Sequence, residues 1–121
     1  MKDFKRSQRL GDQIKRDVAT IVLNLFQDKG SHIPTITGVE VTDDLRYAKI
    51  FYTVMGDEER RAQAKESLAR LSKRIQGELA HSLRVRRMPE ISFHFDTSLE
   101  QGMRILTLLD ELKSKDNDPK N

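Results

Sequence analysis

The hydrophobic period of this chain changes at Met88-Pro89, and that change restricts the possible folds more than any other feature. Before it, apolar residues recur at helical spacing: Ala64, Leu68, Leu71, Ile75, Leu79 and Leu83. After it, Ile91, Phe93 and Phe95 alternate with polar residues, as in a strand. Proline has no amide proton and biases its predecessor away from helical dihedrals. The sequence therefore predicts a long helix that ends at Met88-Pro89 and runs directly into a strand.

Three arginines, Arg84, Arg86 and Arg87, lie at this junction. Cations are favoured near a helix C-terminus, where unpaired carbonyls gather, so capping electrostatics is one interpretation of them. A helix end needs only one or two such charges, worth about 0.3–1 kcal/mol each when exposed. A dense guanidinium cluster also suits phosphate recognition. The number of arginines favours a polyanion site, and a solvated helix end stays the alternative.

Charge is segregated along the sequence. The length of 121 residues is enough for one domain with one core. Residues 1–16 carry six Lys/Arg against two acids, and residues 70–87 carry six against one. Residues 40–59 hold two basic and six acidic residues, so the net charge of +3 conceals a chain that could meet a polyanion on one side. The candidate residues for binding a polyanion such as RNA are Lys5, Arg6, Arg9, Arg70, Lys73, Arg74, Arg84, Arg86 and Arg87.

The first half of the chain predicts a helix followed by a hairpin. Residues 1–9 are polar and basic, and a helical apolar stripe then runs from Leu10 to Leu25. Strands follow at residues 38–42 and 47–54, where β-branched and aromatic residues are frequent. In the second strand the alternation places Ala48, Ile50, Tyr52 and Val54 toward the core. Phe51 then points outward beside Lys49, where it could stack on a base, although single exposed apolar residues are common.

The second half predicts a long helical region, a third strand and a last helix. Gly56-Asp57 begins the helical region, because Asp can cap the free amides. A helix of about 28 residues would span about 40 Å, which is long for this domain, so we expect a break between Leu71 and Gly77. Ser98 opens the last helix with a capping box to Gln101, and its predicted buried face is Leu99, Met103, Leu106, Leu109 and Leu112. Residues 113–121 are polar without period and predict a disordered tail, which leaves 1–112 as the domain.

Signs of catalysis are weak. The chain has no cysteine, and no two of its three histidines have the spacing of a zinc site. Asp43-Asp44 could be a carboxylate pair, but Asp is common in hairpin turns through its bonds to nearby backbone. No apolar run approaches the roughly 20 residues of a membrane span. The sequence predicts a soluble, cytoplasmic protein that is not an enzyme and has no cofactor, metal or small-molecule substrate.

Three stretches resemble the ribosome-binding factor A family of bacterial small-subunit maturation factors. They are residues 39–50 (VEVTDDLRYAKI), residues 83–93 (LRVRRMPEISF), and the spaced residues Asp96, Ser98, Leu99, Glu100 and Gly102. The resemblance runs from about residue 9 to residue 112. It implies an α+β, KH-like domain of type II, with the order α-β-β-α-α-β plus a C-terminal helix and a three-stranded sheet with its helices on one face. It also implies binding to the immature 30S subunit through 16S rRNA, in support of late processing of the rRNA 5′ end and growth in the cold. We expect the protein to bind as a monomer.

One departure from the family pattern concerns the middle of the long helix. The family replaces the Gly-x-x-Gly loop of KH domains with a helix kink at Ala-x-Gly, and the matching residues here are Leu71-Ser72-Lys73. We therefore expect the kink to rest on Ser72, whose hydroxyl can compete for backbone hydrogen bonds, or to move toward Gly77.

Three classes of function follow. The first is a maturation factor that binds rRNA through a basic face, with contacts to phosphate and shape rather than to base edges. The second is an interaction module whose basic face binds an acidic protein partner and no RNA. The third is a small hydrolase that uses Asp43 and Asp44.

Overall fold

The computed structural model describes residues 2–27, 33–98, 106, 108–110 and 112. Its elements, in chain order, are α1 (Lys2–Leu25), β1 (Thr35–Val41), β2 (Tyr47–Thr53), α2 (Glu58–Leu83) and β3 (Glu90–Phe95). Residues 106, 108–110 and 112 are also helical. The predicted α+β class is confirmed, and so are the three strands.

The sheet has the order β1-β2-β3, with β1 antiparallel and β3 parallel to the central strand. Because side chains alternate along a strand, one face of β2 is buried and the other is open. Ala48, Ile50 and Tyr52 are at most 3% exposed, whereas Tyr47 on the other face is 52% exposed. The predicted orientation of β2 is confirmed, and both helices pack on the same buried face.

Helix α2 carries the chain from β2 to β3, since parallel neighbours need a crossover connection. Asp57 caps its start and accepts a hydrogen bond from the Arg60 N–H at 3.0 Å. Its core-facing stripe consists of Ala64, Leu68, Ile75, Leu79 and Leu83.

The predicted break between Leu71 and Gly77 does not divide α2, which is one α-helix of 26 residues. The physical reason lies in its packing. Leu68 and Ile75, two turns apart, are at most 1% exposed on one stripe, so burial against the sheet supports continuous helix between them. Gly77 is exposed, and a lone glycine costs only about 1 kcal/mol relative to alanine in a helix.

Helix α1 begins at Lys2, whereas the sequence predicted that the helix starts at Leu10. That prediction is wrong for residues 2–9, and Met1 lies outside the described residues. Its buried side is Ile14, Val18 and Val22, and Phe26 just after it is 1% exposed. At Gly11 the helix comes close to the sheet: a Cβ atom there would lie 3.3 Å from the Val39 carbonyl oxygen. The absent side chain thus lets α1 lie directly on β1.

The prediction of a buried face for the last helix is wrong at every predicted position the structure describes. Leu106, Leu109 and Leu112 are 63%, 49% and 56% exposed. Within the described residues, α1 and α2 already cover the apolar face of the sheet, so these leucines find no core to enter. Leu99, Met103 and Gln101 lie outside the described residues, as do residues 113–121 of the predicted tail.

Candidate nucleic-acid interface

The connection from α2 to β3 begins with a left-handed residue. Helix α2 ends at Leu83, five residues before the predicted end at Met88, and Arg84 caps it with φ 54° and ψ 33°. The backbone N–H of Arg84 donates to the Ala80 carbonyl at 3.3 Å. Arg84 therefore terminates the helix with its backbone, a role usually taken by glycine, and its side chain stays exposed.

Gln76 fixes the far end of this connection. Its amide nitrogen donates to the Pro89 carbonyl at 3.1 Å, and its amide oxygen accepts from the Ile91 N–H at 3.3 Å. Pro89 itself is buried. Since both ends are held, Arg86 and Arg87 lie on a short, anchored segment.

The hairpin turn between β1 and β2 lies beside this connection, because the Glu90 N–H donates to the Arg46 carbonyl at 2.8 Å. Within the turn, one oxygen of Asp44, Oδ1, accepts from the Thr42 hydroxyl at 2.6 Å and from the Arg46 N–H at 3.1 Å. The hydrogen bond from Thr42, followed by that from the Arg46 backbone, lowers the pKa of the Asp44 carboxyl. The interpretation of Asp44 as a turn residue is confirmed.

Three segments meet around a surface pocket of about 310 Å³. We call it the arginine pocket, and it is lined by Arg6 and Leu10 of α1, Asp44 and Leu45 of the hairpin turn, and Val85, Arg86 and Arg87 of the connection. The two basic segments of the sequence thus converge at one place.

The other predicted residues lie elsewhere. Lys5 and Arg9 are exposed on α1, and neither lines the pocket. Arg70, Lys73 and Arg74, which we call the helix-face cations, are exposed along α2. Arg74 lies nine positions before the helix end at Leu83, a distance of about 14 Å along the axis.

One of the helix-face cations pairs with Glu78, the one acid in residues 70–87. Arg74 Nε lies 3.8 Å from Glu78 Oε2, and both side chains are largely exposed. An exposed pair of this kind contributes little to stability. It does lower the local positive charge of this face.

Sequence reasoning missed the apolar and acidic parts of the pocket. Leu10 was assigned to the core stripe, Leu45 to the turn, and Val85 to no role. Only Leu45 carried a sequence signal, because a leucine within an Asp-rich turn is unusual. In the structure its φ is 62°, in the left-handed region.

The open face of the sheet is the other place where a base could stack. The Phe51 and His94 rings lie 5.8 Å apart at 40°, and His94 Nε2 is 2.8 Å from the Ser92 hydroxyl oxygen. Phe51 is half-buried because His94 covers part of it. Stacking of a base on Phe51 stays a prediction.

Other kinds of site have little support in the described part of the chain. No three His, Asp or Glu side chains there are grouped so that they could hold a metal ion. Among the same residues, no helix combines the length and the apolar character of a membrane span.

These features define a KH-like α+β domain: a three-stranded sheet, two helices on one of its faces, and the arginine pocket beside the hairpin turn. Residues 6–109 match the family model described as Ribosome-binding factor A. The chain belongs to the ribosome-binding factor A family, which is a family of binding factors and not an enzyme class.

Relatives and solved structures agree with this assignment. The chain is 40% identical to ribosome-binding factor A of Nitrosomonas eutropha over 114 residues, which is 94% of this chain and 97% of the relative. It is 38% identical to that of Desulforamulus reducens over 114 residues, 94% and 95% of the two chains. The crystal structure of the Thermus thermophilus factor superposes with a TM-score of 0.62 at 26% identity, covering 73% of this chain and 93% of that one. A Thermus thermophilus homology model, fitted into a cryo-EM map of a 30S–RbfA complex, shares the fold with a TM-score of 0.62 at 24% identity, covering 72% and 91% of the two chains.

Proposed function

We propose that this protein is a cytoplasmic, monomeric factor that binds the immature 30S ribosomal subunit through 16S rRNA. In this role it supports late maturation of the subunit, including processing of the 16S rRNA 5′ end and growth in the cold. Residues 1–112 form the binding domain, and residues 113–121 are a dispensable tail. The family and the Thermus thermophilus factor in a 30S complex support the choice of partner.

The arginine pocket is the observation that carries the proposal. Arg6, Arg86 and Arg87 come from distant parts of the sequence and line one concave surface. Guanidinium groups bind phosphate with directed hydrogen bonds, and phosphate contacts supply most of the affinity in nonspecific RNA binding. Lys5 and Arg9, exposed on α1, extend the basic surface along the same helix.

Salt dependence tests the proposal directly. Binding to purified precursor 30S subunits, measured from low to moderate salt, should weaken with a log–log slope of about −0.7 to −0.9 per phosphate contacted. Binding to protein-free 16S rRNA should show a slope of the same sign. If affinity for the subunit does not change with salt and the chain does not bind the RNA, the partner is a ribosomal protein and not rRNA.

A further inference from the structure

The arginine pocket contains more than an anion site requires. Contact with an RNA backbone needs only exposed cations, yet three half-buried apolar side chains, Leu10, Leu45 and Val85, also line the pocket. Apolar walls suit the faces of a nucleobase, which proteins bind by stacking and apolar contact.

The size of the pocket limits what can enter it. A volume of about 310 Å³ is at the lower end of the range for small-molecule sites. It admits one nucleotide and excludes a double helix, whose bases are stacked and paired. The matching ligand is therefore a nucleotide that is unpaired and turned out of its stack.

Asp44 is the group that simple phosphate binding does not explain, because a carboxylate repels phosphate. Its Oδ1 is occupied by the Thr42 hydroxyl and the Arg46 N–H. Its Oδ2 lies 4.0 Å from Arg46 Nε in an exposed ion pair, and the Asp44 side chain is 58% exposed, which leaves this oxygen accessible to a ligand. A carboxylate oxygen placed this way accepts hydrogen bonds from the amino groups of bases, as Asp and Glu do with cytosine N4.

Hydrogen bonds within the protein anchor the hairpin-turn side of the pocket. The two hydrogen bonds to Oδ1 fix the Asp44 side chain, and the bond from Glu90 to Arg46 ties the turn to the connection. Leu45 and Arg84, at φ 62° and 54°, are the two described non-glycine residues with positive φ, and both adjoin the pocket. Backbone conformations of this kind cluster at binding sites.

From this geometry we propose that the arginine pocket binds one unpaired ribonucleotide whose base carries an exocyclic amino group. The phosphate lies against the guanidinium groups of Arg6, Arg86 and Arg87, and the base lies against Leu10, Leu45 and Val85. The amino group donates to Asp44 Oδ2. This inference rests on the proposed function for the source of the nucleotide, which is unpaired rRNA.

Mononucleotide titration of the full chain, followed by amide NMR spectra, tests the pocket without the ribosome. The probes are 5′-AMP, 5′-CMP, 5′-GMP and 5′-UMP, with adenosine and inorganic phosphate as separated halves of the ligand. We expect the three amino-bearing nucleotides to shift the amides of Leu45 and Val85. They should bind at least about fivefold more tightly than 5′-UMP, as one base-edge contact allows.

Two neighbouring carboxylates supply a matched pair of variants. Asp44→Asn keeps a side-chain oxygen for the turn but removes the anionic acceptor, so the preference over 5′-UMP should disappear. Asp43→Asn changes an exposed carboxylate in the same turn that does not line the pocket, and it should keep the preference. The same spectra report whether each variant is folded.

The outcomes separate this inference from the proposed function. If phosphate alone reproduces every shift, or if all four nucleotides bind equally to wild type, the pocket is not a base site. If no nucleotide shifts the pocket while the chain still binds precursor subunits, this inference fails and the proposed function stands. If nucleotides bind as expected but the chain does not bind precursor subunits, the proposed function fails and the pocket is still a nucleotide site.

Discussion

The arginine pocket and the helix-face cations contain three exposed basic side chains each, yet the fold treats them differently. The helix-face cations are close in sequence and occupy one side of α2, where Glu78 pairs with Arg74. The arginines of the pocket come from distant parts of the sequence and meet around a concave surface. Each group contributes three cations, so the difference arises from where the backbone places them.

The surroundings of the two groups differ as well. The pocket combines cations with apolar walls and an anchored carboxylate. The helix-face cations lie on a convex surface in water, where an exposed charge contributes little unless a ligand reaches it. The comparison predicts that RNA binding depends on the first group far more than on the second.

The largest expected effect on subunit binding comes from neutralising the arginines of the pocket. Changing Arg6, Arg86 and Arg87 together to Gln should weaken binding to precursor subunits by up to about 100-fold, as three exposed charge contacts allow. The matched change of Arg70, Lys73 and Arg74 to Gln should weaken it by less than about fivefold. Sedimentation with subunits measures both, and circular dichroism melts should show both variants folded. Equal losses in the two variants would remove the distinction between the groups.

A smaller effect is expected at Arg84, where backbone and side chain can be separated. Arg84→Gly should raise the free energy of unfolding by about 1 kcal/mol, because glycine adopts the left-handed conformation without strain. Arg84→Gln keeps the strained backbone and should leave stability nearly unchanged. Urea denaturation measures both variants. A clear loss of stability in Arg84→Gln would show that the guanidinium itself interacts with the helix end, as the capping interpretation holds.

Gly77 tests whether the helix-face region is an ordinary solvated helix. Gly77→Ala should stabilise the protein by about 0.5–1 kcal/mol, since nothing lies within 4 Å of the new Cβ atom, and should leave subunit binding unchanged. Gly11→Ala is the control, because its Cβ atom would meet the Val39 carbonyl oxygen at 3.3 Å and its gain should be smaller or absent. Thermal melts compare them. Weaker binding by a stable Gly77→Ala variant would mean that α2 must bend to bind.

The smallest effect concerns the Arg74–Glu78 pair. Glu78→Gln should change the free energy of unfolding by no more than about 0.5 kcal/mol, because both side chains are exposed. Subunit binding should also be unchanged, since the freed Arg74 lies outside the pocket. A gain in affinity at low salt would instead indicate that the RNA passes along this face of α2.

Sequence patterns predicted the buried face of β2 because alternating apolar residues on a strand all point to the same face of the sheet. The extent of α2 was harder to predict, since its continuity past Leu71-Ser72-Lys73 depends on burial of Leu68 and Ile75 against a sheet that the sequence does not display. For the same reason the last leucines were placed in a core that the two earlier helices already fill. Helical amphipathicity indicates that a face can be buried, and only the tertiary packing decides whether it is.

The candidate site was predictable residue by residue but not as a surface. The junction at Met88-Pro89 singled out Arg86 and Arg87, but nothing local distinguished Arg6 from the other cations or indicated that it meets them. The distinction depends on long-range hydrogen bonds such as that from Glu90 to Arg46, which place the connection beside the hairpin turn. From the sequence, the hairpin turn alone accounted for Asp44. Only the structure shows that Asp44 also lines the arginine pocket.

The way the pocket is assembled also affects when during synthesis the protein can first bind RNA. Arg6 leaves the ribosome first, the hairpin turn follows, and Arg86 and Arg87 emerge only after all of α2, several seconds later at about 5–20 residues per second. The connection is then positioned by the pairing of β3 with β2, which cannot form earlier. A chain that ends before β3 therefore presents separate cations but no pocket, so under the proposed function only molecules that include β3 compete for the precursor subunit.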